Sequence, residues 1–355
     1  MSAVNIVIAL GLADELIKRA GSIDSRVKVT RLTPPQLRVY REGRKVWYEP
    51  YEVKEPERET PEEAEVNYRR IMSDCTVLFS TPIVPTQLEA LSPNLRWIQS
   101  TAAGADRLQD HPIARNGKVV ITTASGVHAI PISEYVLGAI LTFCKGFPAA
   151  LRTQTNRAWK DYLSRELCGQ TLGVLGLGSI GNAIVERARP FGLRILAMRR
   201  SVEQRSSGAA AGRPEIAEVL PPSDLEYLLR QSDYVAISMP LTDETHHLLG
   251  ERQLAMMKPN AVLINISRGP IVDEQALIRA LREKTIAGAA LDVFDKEPLP
   301  AESEFWDLPN VILTPHASGS SPLYMSRAID LLCDNVTRLL KGEPLRNVMD
   351  PHRGY

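Results

Sequence analysis

Unbroken apolar runs, spaced by polar segments with helical periodicity, dominate the second half of the chain. TLGVLGLG (171–178), LRILAM (193–198), DYVAISMP (233–240), AVLINIS (261–267), IAGAALDVF (286–294) and NVILTPH (310–316) lack the apolar/polar alternation of a strand with one wet face. Strands apolar on both sides and separated by helices predict a parallel sheet covered by helices on both faces. The first part of the chain repeats the theme with VNIVIAL (4–10), DCTVLFST (74–81), LRWIQST (95–101) and KVVITT (118–123). Between them, residues 41–70 are polar and interrupted by proline. They read as a surface excursion followed by a charged helix that begins after Thr60-Pro61. The longest apolar run, YVLGAILTFC (135–144), continues a helix opened by Pro131 and falls short of the about 20 residues a membrane span requires. It reads as a buried helix. The last segment predicts a helix with Ser321 as N-cap, Pro322 at its first position and Gly342 beyond its end. Its stripe of Ile329, Leu332, Val336, Leu339 and Leu340 must pack on something.

At 355 residues the chain is long enough for two domains. Its 42 basic and 42 acidic residues cancel, so no global field draws it to nucleic acid or to an anionic membrane, and an anionic ligand must be met by a local site. The start, MSAVNIVIALG, lacks the basic region and long apolar stretch of a secretory signal. Cys75, Cys144, Cys168 and Cys333 have neither metal-ligand nor disulfide spacing. Together these features predict a cytoplasmic protein with reduced, mostly buried thiols and no metal site.

GLGSIG places Gly176, Gly178 and Gly181 in G-x-G-x-x-G spacing, after an apolar strand and at the opening of the helix NAIVERARPFG. That context predicts a dinucleotide site. Gly176 permits the tight turn, Gly178 lets backbone approach a pyrophosphate, and Gly181 lets helix and strand pack closely. The free N–H groups and positive end of the helix face the diphosphate. At the end of the next strand, where a carboxylate would bind ribose hydroxyls, stand Arg199, Arg200 and Ser201. Guanidinium forks pair with phosphate, so this position favours NADP(H), with NAD(H) remaining possible.

Three polar residues follow later apolar strands: Arg268 in INISRG, Glu297 in DVFDKEP and His316 in LTPHASG. Each alone has an ordinary explanation, as a surface cation, a turn residue or a loop histidine. In an open parallel sheet all three emerge at the carboxyl ends, where ligands bind. Arg268 can grip a carboxylate, His316 can exchange a proton with the reacting oxygen, and Glu297 can hold the imidazole and favour its charged form.

From about residue 74 onward the chain resembles the D-isomer-specific 2-hydroxyacid dehydrogenases, through GLGSIG, PLTDETHHLL, NISRGPIVDEQAL, AGAALDVFDKEPLP and WDLPNVILTPH in that order. The resemblance points to the glyoxylate/hydroxypyruvate reductase-like branch. It implies an α/β fold of two doubly wound parallel-sheet domains, a Rossmann-type cofactor domain (127–317) and a discontinuous, flavodoxin-like substrate domain (1–126 and 318–355), with the active site in the cleft between them. It implies Arg268 as carboxylate anchor, Glu297 as partner of His316, His316 as acid/base, and Asp292 at the nicotinamide carboxamide. Ser179, Ile180, Pro240, Thr245 and Ile266 fall along the coenzyme in the same motifs. STAAGAD (100–106) is similar to the substrate loop, whose amides at Ala103 and Gly104 hold the carboxylate. A homodimer through the cofactor domain is implied as well. Residues 1–73 fit the family pattern poorly, and Arg199 replaces its common Asp.

The function implied is hydride transfer from a nicotinamide coenzyme to a small 2-oxo acid such as glyoxylate or hydroxypyruvate, giving the D-2-hydroxy acid. Two alternatives stand beside it: an NAD-dependent dehydrogenase working toward oxidation, and a non-catalytic dinucleotide sensor like the corepressors of this fold. His246 and His247, being adjacent, should diverge on a helix or strand. Trp159 reads first as a packing residue, and Tyr324 serves the substrate pocket and the domain joint equally well.

Overall fold

A computed structural model describes residues 3–44, 59–104, 108 and 110–350. The chain divides into two compact units, residues 1–127 with 321–355 and residues 128–320. The crossings follow Val127 and Ser320, against 126 and 317 expected from the sequence.

The first unit holds β1 (Val4–Ile8), β2 (Val27–Arg31), β3 (Val77–Ser80), β4 (Trp97–Ser100) and β5 (Val120–Thr122). All run parallel in the order β2-β1-β3-β4-β5, the flavodoxin-like order. β2, VKVTR, was not predicted. Its Val27 and Val29 alternate with Lys28 and Thr30, and it sits at the sheet edge with no residue fully buried, so the apolar run that marks a central strand is missing. The helix Tyr324–Lys341 returns to this unit and lays Met325, Ile329, Leu332 and Val336 against Ile6, Ile8, Phe79 and Trp97. That is the partner its stripe demands. The helix begins later than expected. Ser321 and Pro322 form a turn before it, with the Ser321 carbonyl accepting from the Tyr324 amide at 3.0 Å. Gly342 ends it in the left-handed conformation, φ 73°. The charged helix Pro61–Ser73 does open on Thr60, whose side chain accepts from the Glu63 amide while Glu63 returns the bond. The excursion before it, at 45–58, lies outside the described residues.

The second unit is built on β6 (Thr171–Leu175), β7 (Arg194–Met198), β8 (Ser206–Ser207), β9 (Glu218–Leu220), β10 (Tyr234–Ile237), β11 (Val262–Asn265), β12 (Gly288–Leu291) and β13 (Val311–Leu313). Their order is β13-β12-β11-β10-β6-β7-β9-β8, parallel except for the edge pair β8/β9. β8 and β9 escaped prediction because Ser206–Ser207 carries no apolar side chain and Glu218–Leu220 only two, so neither makes an apolar run. Leu228, Leu254, Leu277 and Leu281 pack one face of the sheet, and Val136, Ile140, Ile184 and Val185 the other. The chain leaves β6 to one side for β7 and later crosses to the other for β10. That reversal opens the crevice in which such sheets bind ligands.

The helix Ala129–Cys144 starts two residues before Pro131, which falls in the first turn, where its missing N–H has no helical partner to lose. No single described helix is long and apolar enough to cross a membrane. Asp233, just before β10, accepts from the Thr171 amide, Lys258 Nζ and Asn260 Nδ2 at 2.9, 3.0 and 3.2 Å and so ties β6 to β10 at their amino ends. Of the four thiols, Cys75 and Cys144 are buried, while Cys168 is exposed, contrary to the expectation of mostly buried cysteines. Trp159 is not a packing residue within the chain either. It is 97% exposed.

Candidate active site

The glycine turn stands at the carboxyl end of β6. Gly176 has φ +100°, and a Cβ there would sit 2.9 Å from the Met239 amide nitrogen just beyond β10. A Cβ on Gly181 would lie 2.0 Å from the Gly176 carbonyl oxygen, so only glycine lets the helix Ser179–Ala188 start this close to the turn. Gly178 differs: a Cβ on it meets no protein atom within 4 Å and would project into open space. That space lies before the first turn of the helix, where Ser179 is exposed and Ile180 half-buried. The N–H groups of such a turn have no helical acceptors and suit an anion. The donor set and the vacant side of Gly178 therefore fit a dinucleotide diphosphate.

Arg199, Arg200 and Ser201 follow β7 directly and are all exposed. The Arg199 amide donates to Leu220 O at 3.0 Å, which holds the start of this turn to the neighbouring strand. Beyond β10, Thr245 Oγ1 donates to Pro240 O and accepts from the Thr242 amide, both at 2.8 Å, closing the loop that carries Pro240 and Thr245. Ile266 is 5% exposed and packs in the core beneath β11.

Arg268, Glu297 and His316 come together beyond β11, β12 and β13. His316 Nδ1 is 2.9 Å from Glu297 Oε2. Because the carboxylate accepts, Nδ1 carries the proton and Nε2 is the ring nitrogen left to serve a ligand. The imidazole is 49% exposed and the carboxylate 23%. Glu297 Oε1 accepts from the Phe294 amide at 3.1 Å. Partial burial alone would raise the Glu297 carboxyl, but the hydrogen bond and charge of His316, the Phe294 amide and the charge of Arg268 together hold it below the usual carboxylate range. Arg268 is thus near enough to act electrostatically on the Glu297 carboxylate. Its backbone is extended (φ −140°, ψ 141°), Nη1 donates to Ser267 O at 2.8 Å, and its own carbonyl accepts from Asn265 Nδ2 at 2.9 Å. Gly269 after it lies so close to the Phe294–Asp295 backbone that a Cβ would be 2.0 Å from Phe294 C.

Asp292 plays a part that sequence reasoning missed. It is fully buried. Oδ1 accepts from Thr314 Oγ1 at 2.6 Å and the Ala317 amide at 2.8 Å, Oδ2 accepts from the Ser318 amide at 2.9 Å, and the Asp292 carbonyl accepts from the His316 amide at 2.9 Å. Asp292 therefore holds the Thr314 hydroxyl before His316 and the amides of residues 316–318, while His316 itself adopts a left-handed φ of 51°.

Ala103 and Gly104 belong to the first unit and follow β4. Their loop is anchored by Tyr324, whose hydroxyl donates to Thr101 O at 2.5 Å, and by Ala102 O, which accepts from the Ala124 amide at 2.8 Å. Tyr324 is 9% exposed and thus serves the loop rather than open solvent. His246 and His247 lie on neither helix nor strand. The expected divergence on a helix or strand therefore does not apply; their rings stack, with centroids 4.1 Å apart, and His247 takes φ 50°. Among the described residues no group of three or more His, Cys, Asp or Glu is arranged to hold a metal.

Comparison with known proteins finds relatives along nearly the whole chain. The family model for the D-isomer specific 2-hydroxyacid dehydrogenase NAD binding domain matches residues 137–318. A glyoxylate reductase from Thermofilum pendens is 35% identical over 329 residues, covering 90% of this chain and 92% of that protein. Glyoxylate/hydroxypyruvate reductase B from Enterobacter agglomerans is 35% identical over 264 residues, 72% of this chain and 79% of that one. Among solved structures, a D-isomer specific 2-hydroxyacid dehydrogenase from Xanthobacter autotrophicus Py2, in complex with NADPH and MES, superposes with a TM-score of 0.78 at 25% identity and covers the whole of both chains.

Proposed function

This chain belongs to the D-isomer-specific 2-hydroxyacid dehydrogenases, NAD(P)-dependent enzymes, and we propose that it reduces small 2-oxo acids, glyoxylate or hydroxypyruvate, with NADPH in preference to NADH. The observation that carries the reading is the grouping of Arg268, Glu297 and His316 beyond the strand ends, with the ring nitrogen Nδ1 committed to the carboxylate.

A nicotinamide coenzyme held by its diphosphate at the glycine turn would supply the hydride. The chain's own residues do the rest. The Arg268 fork takes the substrate carboxylate and orients the adjacent carbonyl. His316 delivers the proton on Nε2 to the carbonyl oxygen, and Glu297 stabilises the charged ring that precedes this delivery. Holding anchor and proton source on strand ends of one sheet removes much of the orientational entropy of the step. The product is the D-2-hydroxy acid.

The coenzyme preference rests on Arg199, Arg200 and Ser201, exposed together past β7 where a 2′-phosphate is met in this fold. A carboxylate there would repel that phosphate, and the guanidinium forks attract it. Support comes from the Xanthobacter autotrophicus relative, which holds NADPH. Phe147, Leu151, Trp159, Tyr162 and Leu163 are all exposed in the second unit. Such a run of apolar side chains calls for a covering surface, and a second copy of the chain is the occupant we assign.

The test is a screen of 2-oxo acids with NADPH and NADH. Glyoxylate or hydroxypyruvate should consume NADPH with the higher kcat/KM, and Arg199→Asp should lower the NADPH/NADH ratio. Tight coenzyme binding with no turnover of any 2-oxo acid would replace the enzyme reading with that of a dinucleotide sensor.

A further inference from the structure

We propose that Tyr135 and Thr314 are positioning residues for His316, forming a directed chain of hydroxyls that fixes Asp292 and, through it, the loop that presents the imidazole. The chain starts in the helix Ala129–Cys144, where Tyr135 Oη lies 2.9 Å from Thr314 Oγ1. Thr314 Oγ1 lies 2.6 Å from Asp292 Oδ1. A carboxylate only accepts, so the Thr314 proton goes to Asp292 and Tyr135 must be the donor to Thr314. Burial raises the Tyr135 hydroxyl above its ordinary range, against the weaker opposing pull of the Thr314 bond, so it keeps the proton it donates. With one lone pair of Oδ1 occupied by the threonine, the Asp292 carboxylate is fixed in rotation and its remaining positions meet the Ala317 and Ser318 amides.

The loop needs that restraint. His316 holds φ 51°, a conformation that costs a non-glycine residue and persists only where the surroundings over-determine it. The 316, 317 and 318 amides all end on Asp292, one on its carbonyl and two on its carboxylate. Tyr135 supplies the far end from a helix packed on the sheet, so the chain ties the loop to the rigid part of the unit.

This inference rests on the reading of His316 as the proton donor, and the experiment separates the two. Amide hydrogen exchange of the 316–318 segment is measured on the protein without coenzyme for wild type, Tyr135→Phe, Thr314→Val, Thr314→Ser and the Tyr135→Phe/Thr314→Val pair. Exchange at Ala317 and Ser318 should speed up by as much as about 10-fold in Thr314→Val, less in Tyr135→Phe, and stay near wild type in Thr314→Ser. Because the two hydroxyls act in series, Tyr135→Phe should add nothing once Thr314 is valine. With glyoxylate and NADPH, kcat should fall on the order of 10-fold in Thr314→Val while the NADPH Kd is unchanged and Thr314→Ser recovers the rate. Unchanged exchange in Thr314→Val, or independent effects of the two substitutions, overturns the positioning role whether or not glyoxylate is turned over. A wild-type protein that leaves every 2-oxo acid untouched overturns the catalytic reading instead.

Discussion

His316 Nδ1 lies 2.9 Å from Glu297 Oε2, and this contact sets which ring nitrogen is free and, with the Phe294 amide and the charge of Arg268, holds the carboxyl below its ordinary range against the effect of burial. Glu297→Gln keeps the size of the side chain and removes the charge that favours a protonated ring. We expect kcat for 2-oxo acid reduction to fall on the order of 100-fold, with coenzyme Kd little changed, as measured by steady-state kinetics and fluorescence titration.

The same contact has a pH signature in stability. The Glu297 carboxyl is lowered in the folded chain, so its contribution is fully present above the unfolded value, near 4.5, and is lost as pH falls through the lower folded value. The Tm difference between wild type and Glu297→Gln should therefore hold steady from pH 6 down to about 5 and narrow as the pH falls below the ordinary carboxylate value. A gap that widens on acidification would contradict the assignment.

Arg268 and a lysine are not interchangeable at a fork-shaped site. Arg268→Lys keeps one positive charge but loses bidentate geometry, so KM for the 2-oxo acid should rise by about 10- to 100-fold with a smaller change in kcat. A fall confined to kcat would mean that Arg268 acts on the reacting carbonyl rather than on the carboxylate.

The glycines of the turn separate folding from binding. At Gly181 a Cβ would stand 2.0 Å from a carbonyl oxygen, whereas at Gly178 it meets no protein atom within 4 Å. Gly181→Ala should destabilise the unit by about 1–3 kcal/mol and weaken coenzyme binding. Gly178→Ala should leave Tm near wild type and weaken only the coenzyme. Calorimetry and coenzyme titration on both variants decide it, and equal tolerance of the two would refute the turn geometry.

Asp233 sits at the opposite ends of the strands and should matter to stability alone. Burial would raise its carboxyl, but the Thr171 amide, Lys258 and Asn260 outweigh that and lower it. Asp233→Ala leaves these donors unanswered and should cost about 1–3 kcal/mol in denaturant melts, with kcat preserved at low temperature. The contribution is present above the ordinary carboxylate value and disappears as pH falls through the folded one.

Most of the sheet of the second unit was legible because its strands are buried on both faces and therefore read as unbroken apolar runs. Arg268, Glu297 and His316 were legible for a related reason: each is a polar residue placed where such a run stops. β2 escaped because an edge strand with Lys28 and Arg31 carries no such run. The roles of Asp292, Thr314 and Tyr135 were not visible because they exist only in tertiary contact. Tyr135 meets a residue 179 positions away, and nothing local distinguishes its hydroxyl from that of any other buried tyrosine. The stacking of His246 on His247 likewise depends on a backbone angle that neither residue type announces.

The left-handed angle at His316 has a cost for anyone who would harden this protein. Asparagine and glycine tolerate that region better than histidine does, so a search that selects for heat resistance alone will drift toward them at 316 and discard the proposed proton donor in the process. Sturdiness and turnover pull in opposite directions at this one position, and the neighbours that hold the angle are what let evolution keep the second at the expense of the first.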